Sequence, residues 1–323
     1  MSNLTRHRAR VTRSLSAAAG LLVLASACSD EPTTIHPPAG PSTSVGDFGK
    51  PHSVVTRGRI VFSSFTTGDQ ELYSINEDGS GMVRLTYHDG ADGQPAWSPD
   101  GKKIAFVSRR NGFVDLHVMN GDGSGVKQLT SFNDAFVSAV SVPAWSPDGK
   151  KIAFARTVSN SEIAIFVMGA NGSGIVKLTS GTGFSGSPTW SPDGASIVFL
   201  RDDPITTGLQ QIIMMNADGS GVTPLIECAL FCSQPDWSPD GKQIAYGLGT
   251  AIHRFVLATK EDGVLIEGGT SPSWSPDGLK LAYMSFDGDQ QLSVVNVDGS
   301  NAKPITTFTN SVIGGDADWG RAP

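Results

Sequence analysis

The stretch Trp97-Ser98-Pro99-Asp100-Gly101 occurs five times in this chain of 323 residues. The other copies begin at Trp145, Trp190, Trp237 and Trp274, and a sixth tryptophan is Trp319. Proline presets φ for a turn, aspartate can bond its own backbone, and glycine accepts positive φ. Neighbouring tryptophans are separated by 37 to 48 residues. The spacing predicts one repeat domain built from units of about 45 residues.

Two further features recur in each unit. Seven positions after each of the first five tryptophans is an apolar residue, and two positions later is an aromatic, as in Ile104 and Phe106. A second landmark resembles Asn76-Glu-Asp-Gly-Ser-Gly81 and predicts a hairpin turn. Its other copies are residues 120–125, 169–174, 216–221, 260–265 and 296–301. The residues before it are apolar on both alternating faces, as in Ile212-Ile-Met-Met215, so we expect sheets covered on both sides.

Face-to-face packing of small sheets around a ring covers both sides. We therefore predict an all-β fold over residues 57–320: a six-bladed β-propeller of four-stranded antiparallel blades. The first unit begins with Arg59-Ile-Val-Phe62, which matches a second strand, and the last unit ends with Asp318-Trp319-Gly320, which matches a first strand. The C-terminal strand is thus expected to join the N-terminal blade and close the ring. We expect the tryptophans to pack between blades rather than form a carbohydrate platform.

The N-terminal segment is interpreted as a targeting sequence. Residues 1–27 carry four arginines, no acid and a short apolar run, which is the pattern of a signal peptide. The run ends at Cys28, and the small residues before this cysteine resemble the bacterial lipobox, which implies lipid attachment at Cys28. Ordinary cleavage after Ala27, giving a secreted protein, is the alternative. Serine rather than aspartate at position 29 resembles the enteric sorting signal for the outer membrane, which implies that location. Residues 28–56 are rich in proline, serine and threonine and predict a disordered tether.

Composition narrows the classes of partner. The net charge is −7 and only 17% of residues are charged, so the chain has no electrostatic footprint for nucleic acid. Glycine is abundant, with 38 residues, in keeping with many turns. We expect a monomer that contacts the membrane only through its lipid anchor.

The two landmark motifs resemble the WD-like propeller repeat of the TolB family, periplasmic components of the Tol-Pal envelope system, and of related lipoproteins. The resemblance covers residues 57–320. It implies a non-enzymatic envelope scaffold that binds a protein or peptide, facing the periplasm or the cell exterior. The family's additional α/β domain has no room in the 29 residues between Cys28 and residue 57, so we expect it to be missing.

Binding is expected on one face of the disc. In antiparallel blades both landmark turns emerge on the same face, whereas the long and varied connections emerge on the opposite one. Varied loops on a rigid scaffold are where binding usually resides. The candidate partner-binding residues are His88, Asp89, Asp92, Arg109, Arg110, Asn133, Asp134, Arg201, Asp202 and Asp203. Partner tails could also enter the adjacent channel mouth.

Cysteines and histidines give little sign of catalysis or metal binding. Cys228 and Cys232 lack a second pair or a nearby histidine, so we predict a disulfide in an oxidising envelope, with two free thiols as the alternative. No catalytic motif is present, and no cofactor or metal is expected. His117 is interpreted as a packing residue, His253 as preceding a strand and His88 as a loop residue. The competing hypothesis is a glycan-binding or glycan-processing propeller that uses loop acids and a divalent metal.

Overall fold

The computed structural model describes residues 58–66, 68–132, 140–202, 209–286, 289–308 and 313–320. The predicted signal peptide, Cys28 and the tether lie outside these residues. Within them the secondary structure consists of strands and turns, without a helix that could cross a membrane. The all-β prediction is confirmed.

The strands, in chain order, are β1 (Ile60–Ser64), β2 (Glu71–Ile75), β3 (Val83–Arg84), β4 (Asp92–Trp97), β5 (Lys103–Ser108), β6 (Asp115–Asn120), β7 (Lys127–Gln128), β8 (Val140–Trp145), β9 (Lys151–Ser159), β10 (Glu162–Gly169), β11 (Val176–Lys177), β12 (Gly183–Trp190), β13 (Ser196–Asp202), β14 (Gln210–Asn216), β15 (Thr223–Cys228), β16 (Cys232–Trp237), β17 (Gln243–Leu248), β18 (Ala251–Val256), β19 (Glu261–Glu267), β20 (Gly269–Trp274), β21 (Lys280–Ser285), β22 (Gln291–Asn296), β23 (Lys303–Pro304) and β24 (Ile313–Trp319).

These strands pair in groups of four, each beginning with the strand that ends in a tryptophan. Three groups, β4–β7, β16–β19 and β20–β23, are separate four-stranded sheets. The groups β8–β11 and β12–β15 form one eight-stranded sheet, because β10 also pairs with β12 in parallel. The remaining sheet has the order β24-β1-β2-β3 and places Trp319 opposite Ile60. The predicted pairing of the C-terminal strand with the N-terminal sheet is therefore present.

The apolar residues on both strand faces pack between neighbouring groups. One core cluster joins Trp97 and Phe106 to Val61 and Leu72 of the preceding group. Further clusters connect the other groups in succession, and another joins β21 and β22 to β1 and β2. Each tryptophan thus packs against an adjacent group, as expected. Burial on both faces explains why strands such as Ile212–Met215 show no alternation.

The predicted turns follow local chemistry. In the first Trp-Ser-Pro-Asp-Gly copy, Ser98 Oγ donates to Asp100 Oδ1 over 2.6 Å and Gly101 N–H donates to Ser98 O over 2.9 Å. Gly101 has φ of +67°, which glycine adopts without steric cost.

The predicted position of the fifth copy of the second landmark, residues 260–265, is wrong. Residues 261–265 belong to β19, and the turn lies earlier, where Lys260 N–H donates to Val256 O over 2.8 Å.

The strand order separates the connections into two sets. The uniform face carries the turns between first and second strands and between third and fourth strands of each group. The variable-loop face carries the connections between second and third strands and between one group and the next. Both sets follow from antiparallel pairing within the groups.

Candidate binding surfaces

Two of the predicted partner-binding residues form a buried ion pair. Arg110 Nη2 lies 2.7 Å from Asp92 Oδ2, and Asp92 has no exposed side-chain surface. The Arg110 guanidinium also stacks over the Phe106 ring, 5.3 Å from its centroid. Asp92 is therefore unavailable to a partner, contrary to its assignment to the binding face. The pair instead ties the start of β4 to the loop after β5.

The other predicted residues are more accessible. His88, Asp89 and Arg109 are exposed on the variable-loop face. Asp202 is also exposed, and its Oδ1 accepts a hydrogen bond from Gln210 Nε2 over 3.1 Å. Arg201 is partly buried and lies over the Phe199 ring. Asn133, Asp134 and Asp203 lie outside the described residues.

A short apolar loop lies between β15 and β16. The structure joins Cys228 and Cys232 in a disulfide, with 6.0 Å between their Cα atoms. Both cysteines are buried, whereas Leu230 and Phe231 between them are 62% and 71% exposed. The covalent link thus presents two large apolar side chains to solvent on a constrained loop.

Exposed aromatic side chains are distributed unevenly between the two faces. The variable-loop face carries Phe65, Tyr87, Phe113, Phe231 and Phe286, which are all of the exposed aromatics among the described residues. The exposed large apolar residues of the uniform-face turns are aliphatic, as in Val222 and Leu279. Aromatic residues are enriched in protein interfaces because they bury a large area at a low entropic cost. Sequence reasoning missed this asymmetry because it considered only charged and polar loop residues.

The histidines do not converge. His117 is buried in β6 against Phe106, with 5.6 Å between ring centroids, which confirms its packing role. His253 lies within β18 rather than before it, and its Nδ1 is 3.1 Å from Asp262 Oδ2. It takes the same place opposite Tyr246 that His117 takes opposite Phe106. Across the described part of the chain, no group of three or more histidine, cysteine, aspartate or glutamate side chains is placed to hold a metal ion.

A second candidate surface is a cavity of about 200 Å³, which we call the tryptophan cavity. It is lined by all six tryptophans and by the strands that end in them, β24, β4, β8, β12, β16 and β20. In five of these strands the prolines two positions before and two positions after the tryptophan also line it. The prolines after the tryptophans belong to the Trp-Ser-Pro-Asp-Gly turns, so the cavity extends towards the uniform face.

The same strands carry strained backbone beside the cavity. The residue three positions before the tryptophan has positive φ in five of them, namely Gln94, Val142, Ser187, Gln234 and Ser271. Each lies at a shift in strand register and directly before a proline, where extended backbone is normally preferred. Such strain costs on the order of 1 to 3 kcal/mol per residue and is often found at functional sites.

The strand β24 departs from this pattern. Ala317 replaces the first proline, Gly315 takes the positive φ, and Asp316 occupies the position of the strained residue. Asp316 Oδ1 accepts a hydrogen bond from Gln234 Nε2 across the cavity. Burial raises the pKa of Asp316 to about 7, although the hydrogen bond from Gln234 acts in the opposite direction. The cavity therefore holds a carboxyl group that changes charge near neutral pH.

Comparison with known proteins agrees with the repeat pattern. The sequence profile of the TolB β-propeller domain matches residues 56–142 and 131–321. The chain belongs to this family. No curated protein matches the sequence. The tryptophan cavity of this TolB-family chain is thus built from the residues that define the repeat, whereas Asp316 lies in the strand that departs from it.

Solved structures similar to this TolB-family chain share its fold. TolB from Acinetobacter baumannii is 24% identical, with a TM-score of 0.68 over 82% of this chain and 67% of that one. A putative TolB from Agrobacterium tumefaciens is 22% identical, with a TM-score of 0.64 over 80% and 90%. An oligogalacturonate lyase in complex with manganese is 16% identical, with a TM-score of 0.54 over 76% and 73%. At these identities the likeness concerns the fold alone.

Proposed function

We propose that this chain is a non-enzymatic lipoprotein of the bacterial cell envelope that binds a protein or peptide through its variable-loop face. Its scaffold is a six-bladed propeller closed by the pairing of β24 with β1. The succession of core clusters between neighbouring groups supports that closure. The family membership supports the envelope setting, and the signal-peptide pattern ending at Cys28 supports lipid attachment at the outer membrane.

The observation that carries the binding function is the confinement of exposed aromatics to one face. Phe286, Phe65, Tyr87 and Phe113 belong to three successive strand groups, and Phe231 lies on the disulfide-linked loop. A rigid scaffold that presents aromatic side chains loses little conformational entropy when a partner covers them. The surrounding charges of Asp89 and Arg109 suit the polar rim of such an interface.

The test is cross-linking of the mature protein to its partner in envelope preparations. Phe231→Ser is the test variant, and Leu279→Ser is its control because Leu279 is 61% exposed on the uniform face. We expect the first change to abolish the cross-linked product and the second to retain it. Equal products from both variants would overturn binding through the variable-loop face.

The anchor has a separate test. Replacing Cys28 with alanine removes the thiol that would carry the lipid. We expect the variant to leave the membrane fraction while retaining its fold. Retention of Cys28→Ala in the membrane fraction would contradict lipid attachment at this residue.

The competing glycan hypothesis is tested with the same purified protein. Incubation with oligogalacturonate and Mn²⁺ is followed by absorbance of the unsaturated product. We expect no turnover. Turnover that is lost on His253→Ala would replace the binding function with an enzymatic one.

A further inference from the structure

Prolines and tryptophans line most of the tryptophan cavity, with serine, threonine and glutamine side chains between them, and its charged residues lie on only two of the six strands. Five of its six strands contribute prolines on both sides of their tryptophan, whereas β24 contributes Asp316, Ala317 and Asp318. Asp236 of β16 lies in the lining as well. Among the described residues, these three aspartates are the charged members of the lining, and no lysine, arginine or histidine of the described chain belongs to it. The cavity therefore favours a cation, because charges in a confined site are screened less than at the surface.

The three carboxyl groups differ in what they bind. Asp236 Oδ2 accepts the backbone N–H of Trp274 over 2.8 Å, and Asp318 Oδ2 accepts that of Trp97 over 2.6 Å. Both carboxylates thus hold neighbouring strands together. Asp316 is hydrogen-bonded to the neutral amide of Gln234. An amide donor does not balance a negative charge, so an ionised Asp316 has a place for a cationic partner.

The geometry points to a primary ammonium group, carried on a narrow carbon chain, as the ligand of the tryptophan cavity, with Asp316 as its ionic partner. An ammonium group has three donors. Asp316, the carbonyl oxygen of Gln234 and the hydroxyl of Ser187 or Thr189 are acceptors in the lining. The proline rings and tryptophans provide an apolar wall for the carbon chain. Gln234 and Ser187 both have positive φ and both belong to the lining.

This site is distinct from the variable-loop face, since its lining runs from the six strands that end in tryptophan to the turns of the uniform face. Failure of the partner test on Phe231 would therefore leave the ammonium site untouched. Two sources can supply the group, namely a small free amine and the N-terminus of a peptide.

The test titrates the purified mature protein with n-butylammonium and follows tryptophan fluorescence, because all six tryptophans line the cavity. n-Butanol is the uncharged comparison of similar shape. We expect saturable binding of the amine, at least tenfold weaker binding of the alcohol, and at least a tenfold loss on Asp316→Asn. The exposed Asp69→Asn is the matched control and should bind like the unchanged protein. Equal binding by Asp316→Asn, or equal binding of amine and alcohol, would overturn the proposal.

A second measurement does not need a variant. The carboxyl carbon resonance of Asp316 is followed by NMR across pH 5 to 9, with and without saturating n-butylammonium. The other titratable groups of the lining are Asp236 and Asp318, whose resonances are followed in parallel. We expect the amine to shift the Asp316 midpoint to lower pH, because an adjacent cation favours the ionised form. An unchanged midpoint would overturn the proposal.

Three further ligands distinguish a small amine from a peptide N-terminus as the source of the ammonium group. A tripeptide with a free N-terminus is compared with its acetylated form and with 1,4-diaminobutane. Stronger binding of the free peptide assigns a peptide terminus, and stronger binding of the diamine assigns a small amine. Acetylated peptide that binds as well as free peptide would contradict recognition of the ammonium group.

Discussion

Arg110 Nη2 lies 2.7 Å from Asp92 Oδ2 at a site where Asp92 is fully buried. The adjacent Arg109 is exposed on the same loop. Two neighbouring arginines, both plausible as partner contacts, thus have different roles. One compensates a buried charge, and the other is free to meet solvent or a partner.

Arg110→Ala should destabilise the fold by about 3 kcal/mol, because it leaves the Asp92 carboxylate buried without its ionic partner. Arg109→Ala should change the free energy of unfolding by no more than about 0.5 kcal/mol. Urea denaturation followed by tryptophan fluorescence measures both. Similar values for the two variants would refute the structural role of the ion pair.

Two tryptophans of similar burial, Trp97 and Trp190, allow the contribution of one hydrogen bond to stability to be measured. Trp190 Nε1 donates to Ala144 O over 3.2 Å, whereas Trp97 Nε1 is buried without a hydrogen-bond partner among the described residues. Trp190→Phe should therefore cost about 1 kcal/mol more than Trp97→Phe. Thermal and urea unfolding of the two variants provide the comparison. A larger cost for Trp97→Phe would contradict this assignment.

The repeated turns predict loss of stability in acid. A serine hydroxyl donates to the turn aspartate and lowers its pKa, as Ser98 does for Asp100. The pKa is also lowered at Asp78, Asp122, Asp148, Asp193, Asp218, Asp240, Asp277 and Asp298. The folded protein binds fewer protons here than the unfolded chain, so this contribution is present above the ordinary aspartate pKa and is lost as pH falls through the lowered values. Unfolding measured from pH 6 to pH 2 should show the decrease, and Asp100→Asn should reduce its slope.

The carboxyl group of Asp316 predicts the opposite dependence of folding stability on pH. Its pKa of about 7 lies above the ordinary value of 3.8, so the folded state binds more protons between these limits. Its contribution to stability therefore decreases as pH rises from about 4 to 7. Asp316→Asn should become more stable relative to the unchanged protein over that range, by on the order of 2 to 4 kcal/mol. A stability difference that is independent of pH would contradict the raised pKa.

The disulfide between Cys228 and Cys232 predicts that folding stability depends on the redox conditions. Closing the short loop between Cys228 and Cys232 should stabilise the fold by about 2 kcal/mol in the chain-entropy description. Reduction should lower the free energy of unfolding by that amount, and Cys228→Ala/Cys232→Ala should be insensitive to reductant. Thiol titration of the unreduced protein should detect neither cysteine. Detection of both thiols would favour the free-thiol alternative.

The strands and turns were predictable because their causes are local. Proline, aspartate and glycine determine the turn after Trp97, and an apolar residue such as Ile104 marks the following strand. The fifth unit was assigned less well because Gly249 and Thr250 alone connect β17 to β18. That short connection moves the next turn towards the N-terminus, and an Asp-Gly pair inside β19 was mistaken for it.

The candidate sites were less predictable because they depend on distant residues. Whether Asp92 is exposed depends on a partner 18 positions away, and Gln234 meets Asp316 across 82 positions. One available signal was missed. Proline precedes five of the tryptophans by two positions, and its replacement by Ala317 marks the sector that carries Asp316.

The hydrogen bond from Trp319 Nε1 to Gly58 O joins residues 261 positions apart. A chain made from its N-terminus onwards must therefore present β1 before the strand that covers its edge exists. Until then, β1 is an open edge able to pair with another chain. We expect chaperone dependence during folding to concentrate on this first sheet, and chains truncated before β24 to aggregate rather than accumulate as shorter monomers.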